Sequence, residues 1–152
     1  MIDKKWIGHE LPASVLPIER SRLQFFAKAI GETDPVYSNL DAARQAGHRD
    51  VLVPPTFLIG LGADDTSVMD AVMSAGGDIR RLLHGEQAFE YHQPVHAGSR
   101  LRFQNAISDL YRKRGGQLEF VVQETAVSDE SSGEQVALMR TVLVFRNPEV
   151  KP

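Results

Sequence analysis

The feature that most constrains this chain is the two-residue alternation that fills its second half. Leu101, Phe103, Asn105 and Ile107 alternate with Arg102, Gln104, Ala106 and Ser108. Leu118, Phe120 and Val122 alternate with Glu119, Val121 and Gln123, and Val136, Leu138, Val142 and Val144 form a last set. Phe89 and Tyr91 share one phase, with Ala88, Glu90 and His92 in the other. Successive side chains of a strand point to opposite faces, so a period of two predicts strands set against a core. Gly115-Gly116 and residues 129–133 supply hairpin turns between the runs. An antiparallel sheet of about four or five strands follows.

The first half has the helical period. Leu23, Phe26, Ala27 and Ile30 fall at i, i+3, i+4 and i+7, which predicts a helix over 19–30 that Gly31 ends. Residues 14–18 read as a short edge strand, where Pro17 is tolerated. Asp34-Pro35 turns the chain, because proline disfavours helix in the residue before it. Residues 41–46 read as a short helix closed by Gly47. Pro55 suits the first turn of a helix, so one is expected to begin near Thr56 and run through Phe57, Leu58, Ile59 and Leu61. That helix is apolar nearly all round, which implies burial. Residues 64–77 continue as a helical or irregular excursion to Gly76-Gly77. The class expected is α+β, a curled antiparallel sheet wrapped around a long central helix.

Composition narrows the functions available. A chain of 152 residues is expected to form one domain over 1–152 and to bury a core without staples. The absence of cysteine excludes disulfides and thiolate metal sites and suits a reducing, cytoplasmic setting. The first ten residues are Lys-rich without the apolar stretch of a secretory signal, and no apolar run is long enough to span a membrane. A formal net charge of -3 argues against a nucleic-acid surface. Neither nucleic acid nor membrane is expected as a partner.

Three stretches carry candidate chemistry. Gly31-Glu32-Thr33-Asp34-Pro35-Val36-Tyr37 follows the first helix and brings two carboxylates and a phenol into one loop. The same residues also suit a solvated turn. His84 and Glu86, in Leu83-His84-Gly85-Glu86-Gln87, are alternate strand positions that would both face one cleft. Histidine is the natural acid or base near neutral pH, and structural hydrogen bonding is the other use for the pair. Pro55-Thr56-Phe57 opens the central helix, where free N–H groups can meet a ligand oxygen and Thr56 can serve as a cap. His92 and His96 lack a third ligand at suitable spacing, so no metal is expected. Trp6 reads as a packing residue. The sequence has no glycine-rich phosphate loop and no nucleophile elbow.

Residues 25–57 resemble the helix, catalytic loop and central-helix start of MaoC-like, (R)-specific enoyl-thioester hydratases, whose loop reads approximately G-D-x-N-P-[LIV]-H. Gly31, Pro35 and Val36 match that pattern. Glu32 stands at the Asp, Asp34 at the Asn and Tyr37 at the His. Residues 83–87 and the Phe89, Tyr91 and Pro94-Val95 that follow are similar to the N-terminal repeat of two-repeat peroxisomal hydratases and to fatty-acid-synthase-type dehydratases. The resemblance implies a single hotdog fold and reversible hydration of a trans-2-enoyl thioester, with an Asp and a His sharing one water. It implies no cofactor beyond the coenzyme A or acyl carrier protein that carries the substrate. It further implies a homodimer or heterodimer with a second hotdog domain, with the active site at their junction. In two-repeat enzymes the N-terminal repeat accommodates the acyl chain and the other repeat carries the dyad.

On this footing the candidate catalytic residues are Glu32, Tyr37, His84 and Glu86, and the candidate substrate-binding residues are Asp34, Pro55, Thr56 and Phe57. Arg80-Arg81 and Arg112-Lys113-Arg114 are candidates for coenzyme A phosphates or for solvated turns. The departures from the motif matter chemically. Glu32 carries one more methylene than Asp, and a displacement of ~1 Å can cost on the order of a hundredfold in rate. Tyr37 is a poor base at neutral pH but can donate a hydrogen bond. Three readings remain: a hydratase/dehydratase subunit with a degenerate dyad, a non-catalytic acyl-CoA-binding partner of a catalytic hotdog subunit, and a hotdog thioesterase using Asp64 or Asp65. Phe57, Leu58 and Met69 are either core or the lining of a tail pocket.

Overall fold

The computed structural model describes residues 2–62 and 66–147. Its elements run β1 (Ser14–Pro17), α1 (Arg20–Ala29), α2 (Leu40–Gln45), α3 (Phe57–Gly62), α4 (Ser67–Ser74), β2 (Leu82–Tyr91), β3 (Arg100–Lys113), β4 (Leu118–Asp129) and β5 (Gln135–Arg146). The five strands form one sheet in the order β1-β3-β4-β5-β2, antiparallel at every pairing.

The long meander β3-β4-β5 follows from the alternation. Leu101, Phe103, Asn105 and Ile107 are all buried, as one phase of a strand set on a core must be. A register shift between Ile107 and Asp109 then moves the inward phase to Leu110. The β3–β4 turn carries positive φ at Arg114, Gly115 and Gly116, the conformation that glycine tolerates at little steric cost. On β4 both phases are apolar. Val121 packs with Ile107, Leu110 and Val72, while Val122 packs with Val142 and Val144 in a separate cluster flanked by Tyr111, Leu118 and Phe120. Adjacent strand residues point to opposite faces, so the second cluster lies on the side of the sheet away from the helices.

The main core joins Phe57, Leu58 and Leu61 of α3 to Leu23 of α1 and to Phe103, Val127 and Met139 of the sheet. Each fully buried side chain of this size contributes roughly 1.5–3 kcal/mol. The apolar run therefore forms a helix that lies under the sheet, as its sequence predicts. It spans Phe57–Gly62 and is followed, beyond residues 63–65, by the eight-residue α4. Gly60 and Gly62 each cost a helix about 1 kcal/mol relative to alanine. The position of a Gly62 Cβ lies 3.7 Å from the Phe103 ring, an ordinary packing distance. At the sheet's edges, among the described residues, β1 covers only residues 100–103 of β3, and β2 pairs only with β5. No described helix is long and apolar enough to cross a membrane.

Candidate active site

The loop after α1 is tightly self-bonded. Gly31 adopts φ 72°, and the N–H of Glu32 returns to the carbonyl of Ala27 at 2.9 Å. The Glu32 carboxylate accepts from the N–H groups of Thr33 and Asp34 at 2.8 and 2.9 Å. Asp34 accepts from the N–H of Val36 at 3.0 Å and thereby caps the turn Pro35–Tyr37. Glu32 and Asp34 are exposed. Both carboxylates serve the loop's own backbone, as side chains of this type commonly do in turns.

Tyr37 ends the loop beside the start of α3. It lines a cleft of about 390 Å³ together with Val53, Pro55, Tyr91 and His92. The Tyr91 hydroxyl donates to the carbonyl of Pro55 at 2.7 Å. Burial, and then Tyr37 alongside, push the Tyr91 phenol well above its ordinary value, so it remains a proton-bearing donor. Pro55 and Thr56 are exposed, and the N–H of Phe57 bonds to the carbonyl of Pro54 at 2.9 Å. Phe57 itself is buried in the core, its ring edge-on to Phe26 with centroids 5.4 Å apart. The structure thus brings Tyr37 and Pro55 to one cleft, while Thr56, next along the chain, and the buried Phe57 are not among its lining residues.

His84 and Glu86 do not share a cleft. A register shift at Gly85 pairs His84 with Leu143 and Glu86 with Val142, which are neighbours on β5 and face opposite sides. This bulge overturns the expectation drawn from simple alternation. His84 turns inward, its Nε2 3.1 Å from the Glu86 carbonyl oxygen, while the Glu86 carboxylate lies 3.3 Å from Nη1 of Arg140 on the other face. Gly85 is required there, because a Cβ would stand 2.8 Å from Cγ2 of Val144.

His84 instead borders a second cleft of about 390 Å³ between α3, α4 and the sheet. Its walls include Ile59, Met69, Phe103, Met139 and Leu143. Into this apolar space are set Asn105, Gln123, Thr125 and Thr141. Asn105 and Thr125 are 4% and 1% exposed. Thr125 Oγ1 donates to Asn105 Oδ1 at 2.7 Å, and Gln123 Nε2 reaches Asn105 Oδ1 at 2.9 Å and Thr125 Oγ1 at 3.0 Å. Sequence reasoning passed over this cluster and over Tyr91. The signal was available, since Asn105 is a polar residue in the inward phase of an otherwise apolar strand.

The remaining candidates settle into packing and local pairing. Leu58 is core and Met69 lines the second cleft. Arg80 and Arg81 pair with Asp78, and Arg112 with the buried Glu119. Lys113 sits over the stacked rings of Tyr111 and Phe120. His96 approaches His48 at 3.2 Å, and His92 approaches Gln135 at 3.0 Å. Trp6 packs against the cluster of Ile2 and Val72. Asp64 and Asp65 lie outside the described residues.

A curled five-stranded antiparallel sheet with α3 beneath it defines the hotdog class of fold, which solved MaoC-like dehydratases and (R)-hydratases share. Within that class the chain belongs to the FAS1-like dehydratase domain region family, whose model matches residues 5–139. Its relatives include a UPF0336 protein of Saccharopolyspora erythraea, 33% identical over 99% of this chain and 96% of that one. Another, from Clavibacter michiganensis subsp. michiganensis, is 35% identical over 91% of this chain and 95% of its own. Among solved structures, a chain of the C-terminally truncated HadBC (3R-hydroxyacyl-ACP dehydratase) complex of Mycobacterium tuberculosis superposes with TM-score 0.78 at 23% identity, over 91% of this chain and 96% of that one. A MaoC-like dehydratase superposes with TM-score 0.82 at 23% identity, over 95% of this chain but 43% of the other.

Proposed function

We propose that this chain is the acyl-thioester-holding subunit of a 3-hydroxyacyl-thioester dehydratase, or enoyl-thioester hydratase, and that a second hotdog chain supplies its Asp/His dyad. The observation that carries this reading is the use of both loop carboxylates on neighbouring backbone N–H groups, in an exposed loop. Adding water across a trans-2-enoyl thioester places hydroxide on the β-carbon and a proton on the α-carbon. One group must take the water's proton and one must give a proton to carbon. Tyr37 and Tyr91 can donate hydrogen bonds but cannot serve as bases at neutral pH. His84 is in another cleft from the loop. This chain therefore supplies binding surface and orientation rather than the proton shuttle. The family's dehydratase character supports the reaction class. Two of the solved neighbours, HadBC and ChsH1-ChsH2, are themselves complexes of two named subunits. The thioester carrier is coenzyme A or acyl carrier protein.

The test is a pair of assays that follow loss of the conjugated double bond of crotonyl-CoA and trans-2-dodecenoyl-CoA. The purified chain alone is expected to give no turnover. Adding a hotdog chain with an intact Asp/His loop from the same genome is expected to give turnover, with kcat changed by less than about twofold when Glu32→Gln is placed in this chain. Turnover by this chain alone that Glu32→Gln abolishes would overturn the proposal.

A further inference from the structure

We infer that the cleft between α3, α4 and the sheet is a binding site for a chain that carries a hydrogen-bonding oxygen, a hydroxyl or a ketone, away from its head group. The starting point is the mismatch between the cleft and its floor. Ile59, Met69, Phe103, Met139 and Leu143 make walls suited to an alkyl chain. A cleft built for alkyl alone has no use for buried amides, because a polar group removed from water without a partner costs stability. Yet Asn105, Gln123 and Thr125 stand in the inward phases of β3 and β4, and Asn105 and Thr125 are almost wholly buried.

Their mutual bonds leave capacity unused. Asn105 Oδ1 accepts from both Thr125 and Gln123, while the amide nitrogen of Asn105 has no hydrogen-bond partner among the described residues. Gln123 uses its nitrogen on Asn105 and Thr125, which leaves its side-chain oxygen without one among the described residues. A donor and an acceptor with unused capacity thus line one cleft whose walls are mostly hydrocarbon. A ligand ketone satisfies the donor, and a ligand hydroxyl satisfies both. Ligand sites of this construction, mostly apolar with a few placed polar groups, select for the group that completes the hydrogen bonds and reject its absence more strongly than its size. Thr141, across on β5, donates its hydroxyl proton to Gln87 at 2.8 Å and so offers the cleft acceptor capacity but no donor. The inference rests on the proposed function only for what the oxygen is attached to, namely an acyl thioester.

Two probes separate the cleft from that function. Isotopically labelled protein is titrated with 2-octanone, which has no thioester, while the side-chain amide signals of Asn105 and Gln123 are followed by NMR. The Asn105 pair is expected to move saturably, and Asn105→Leu to weaken ketone binding about tenfold or more. In parallel, trans-2-decenoyl-CoA and its 9-oxo analogue are compared as ligands of the wild-type chain, and the keto chain is expected to bind about tenfold tighter. Amide signals that stay fixed at saturating ketone, the behaviour of a site that holds only water, would overturn the inference, as would equal affinity for the two thioesters. Moved amide signals with neither thioester bound would uphold the cleft and remove the acyl-thioester function. The wild-type spectra decide the matter even where Asn105→Leu fails to fold.

Discussion

Glu119 shows what the inward phase of a strand demands of a charged residue. It is 4% exposed, and its carboxylate accepts from the N–H of Ile2 at 3.1–3.2 Å and from Nε of Arg112 at 3.0 Å. Replacement by leucine keeps bulk but strands a buried amide, while the exposed Arg112 keeps its water, so Glu119→Leu is expected to cost about 1–3 kcal/mol in urea unfolding. Adding Arg112→Met completes a cycle that measures the coupling of the pair, expected at about 1 kcal/mol or less. A double variant as unstable as the sum of the singles would show that the pair is not coupled. At this scale the sequence was readable in position but not in use. Glu32 and Asp34 are visibly two carboxylates in a loop, but only the structure shows that each uses one oxygen to accept from the next N–H groups along the chain. Periodicity assigns Asn105 to a face, and its partners come from β4, twenty residues away, at Thr125.

Among the elements, α1 depends on a tie that local pattern does not reveal. Arg20 in its first turn forms two bonds to Asp50, at 2.9 and 2.6 Å, and so pins the segment that leads to α3. The Arg20 guanidinium, more than the N–H of Val51 or the charge of Arg44, holds the Asp50 carboxyl down to about 2. A carboxyl depressed in the folded state contributes stability above its ordinary value near 3.8, and that contribution is lost as pH falls toward about 2. Thermal stability should therefore drop from about pH 5 to about pH 2, and Arg20→Gln should flatten that drop by about 1 kcal/mol, the pair being partly exposed. Equal acid sensitivity in the two proteins would remove the tie from the account. The helix boundaries themselves were legible to within a residue or two, because Gly31, Gly47 and Pro55 mark them. The tie to Asp50 was not, because nothing in the local pattern of residues 19–30 marks a partner thirty residues on.

For the whole molecule, the strand order sets a gradient of protection. β4 is bonded on both sides along its length, whereas β2 is bonded only to β5. Amide exchange in β4 is expected to be at least about tenfold slower than at the outward N–H groups of β2. A partner chain that pairs with this edge should slow those same β2 amides on mixing, and unchanged exchange there would place the partner elsewhere. The meander and its turns were legible because Gly115-Gly116 and Gly133 sit where the alternation pauses. The bulge in β2 was not, because a single glycine in a strand leaves the periodicity on either side intact. That glycine makes the strand a text printed in two reading frames. Upstream, Leu82 belongs to the core and Leu83 to the surface, and downstream Gln87 and Phe89 face inward. Were residue 85 drawn into the ladder as an ordinary strand residue instead of bulging out of it, the strand would not merely straighten. Held by its downstream half, it would turn over upstream, sending Leu82 out to solvent and Leu83 in, and His84 would leave the cleft it now borders.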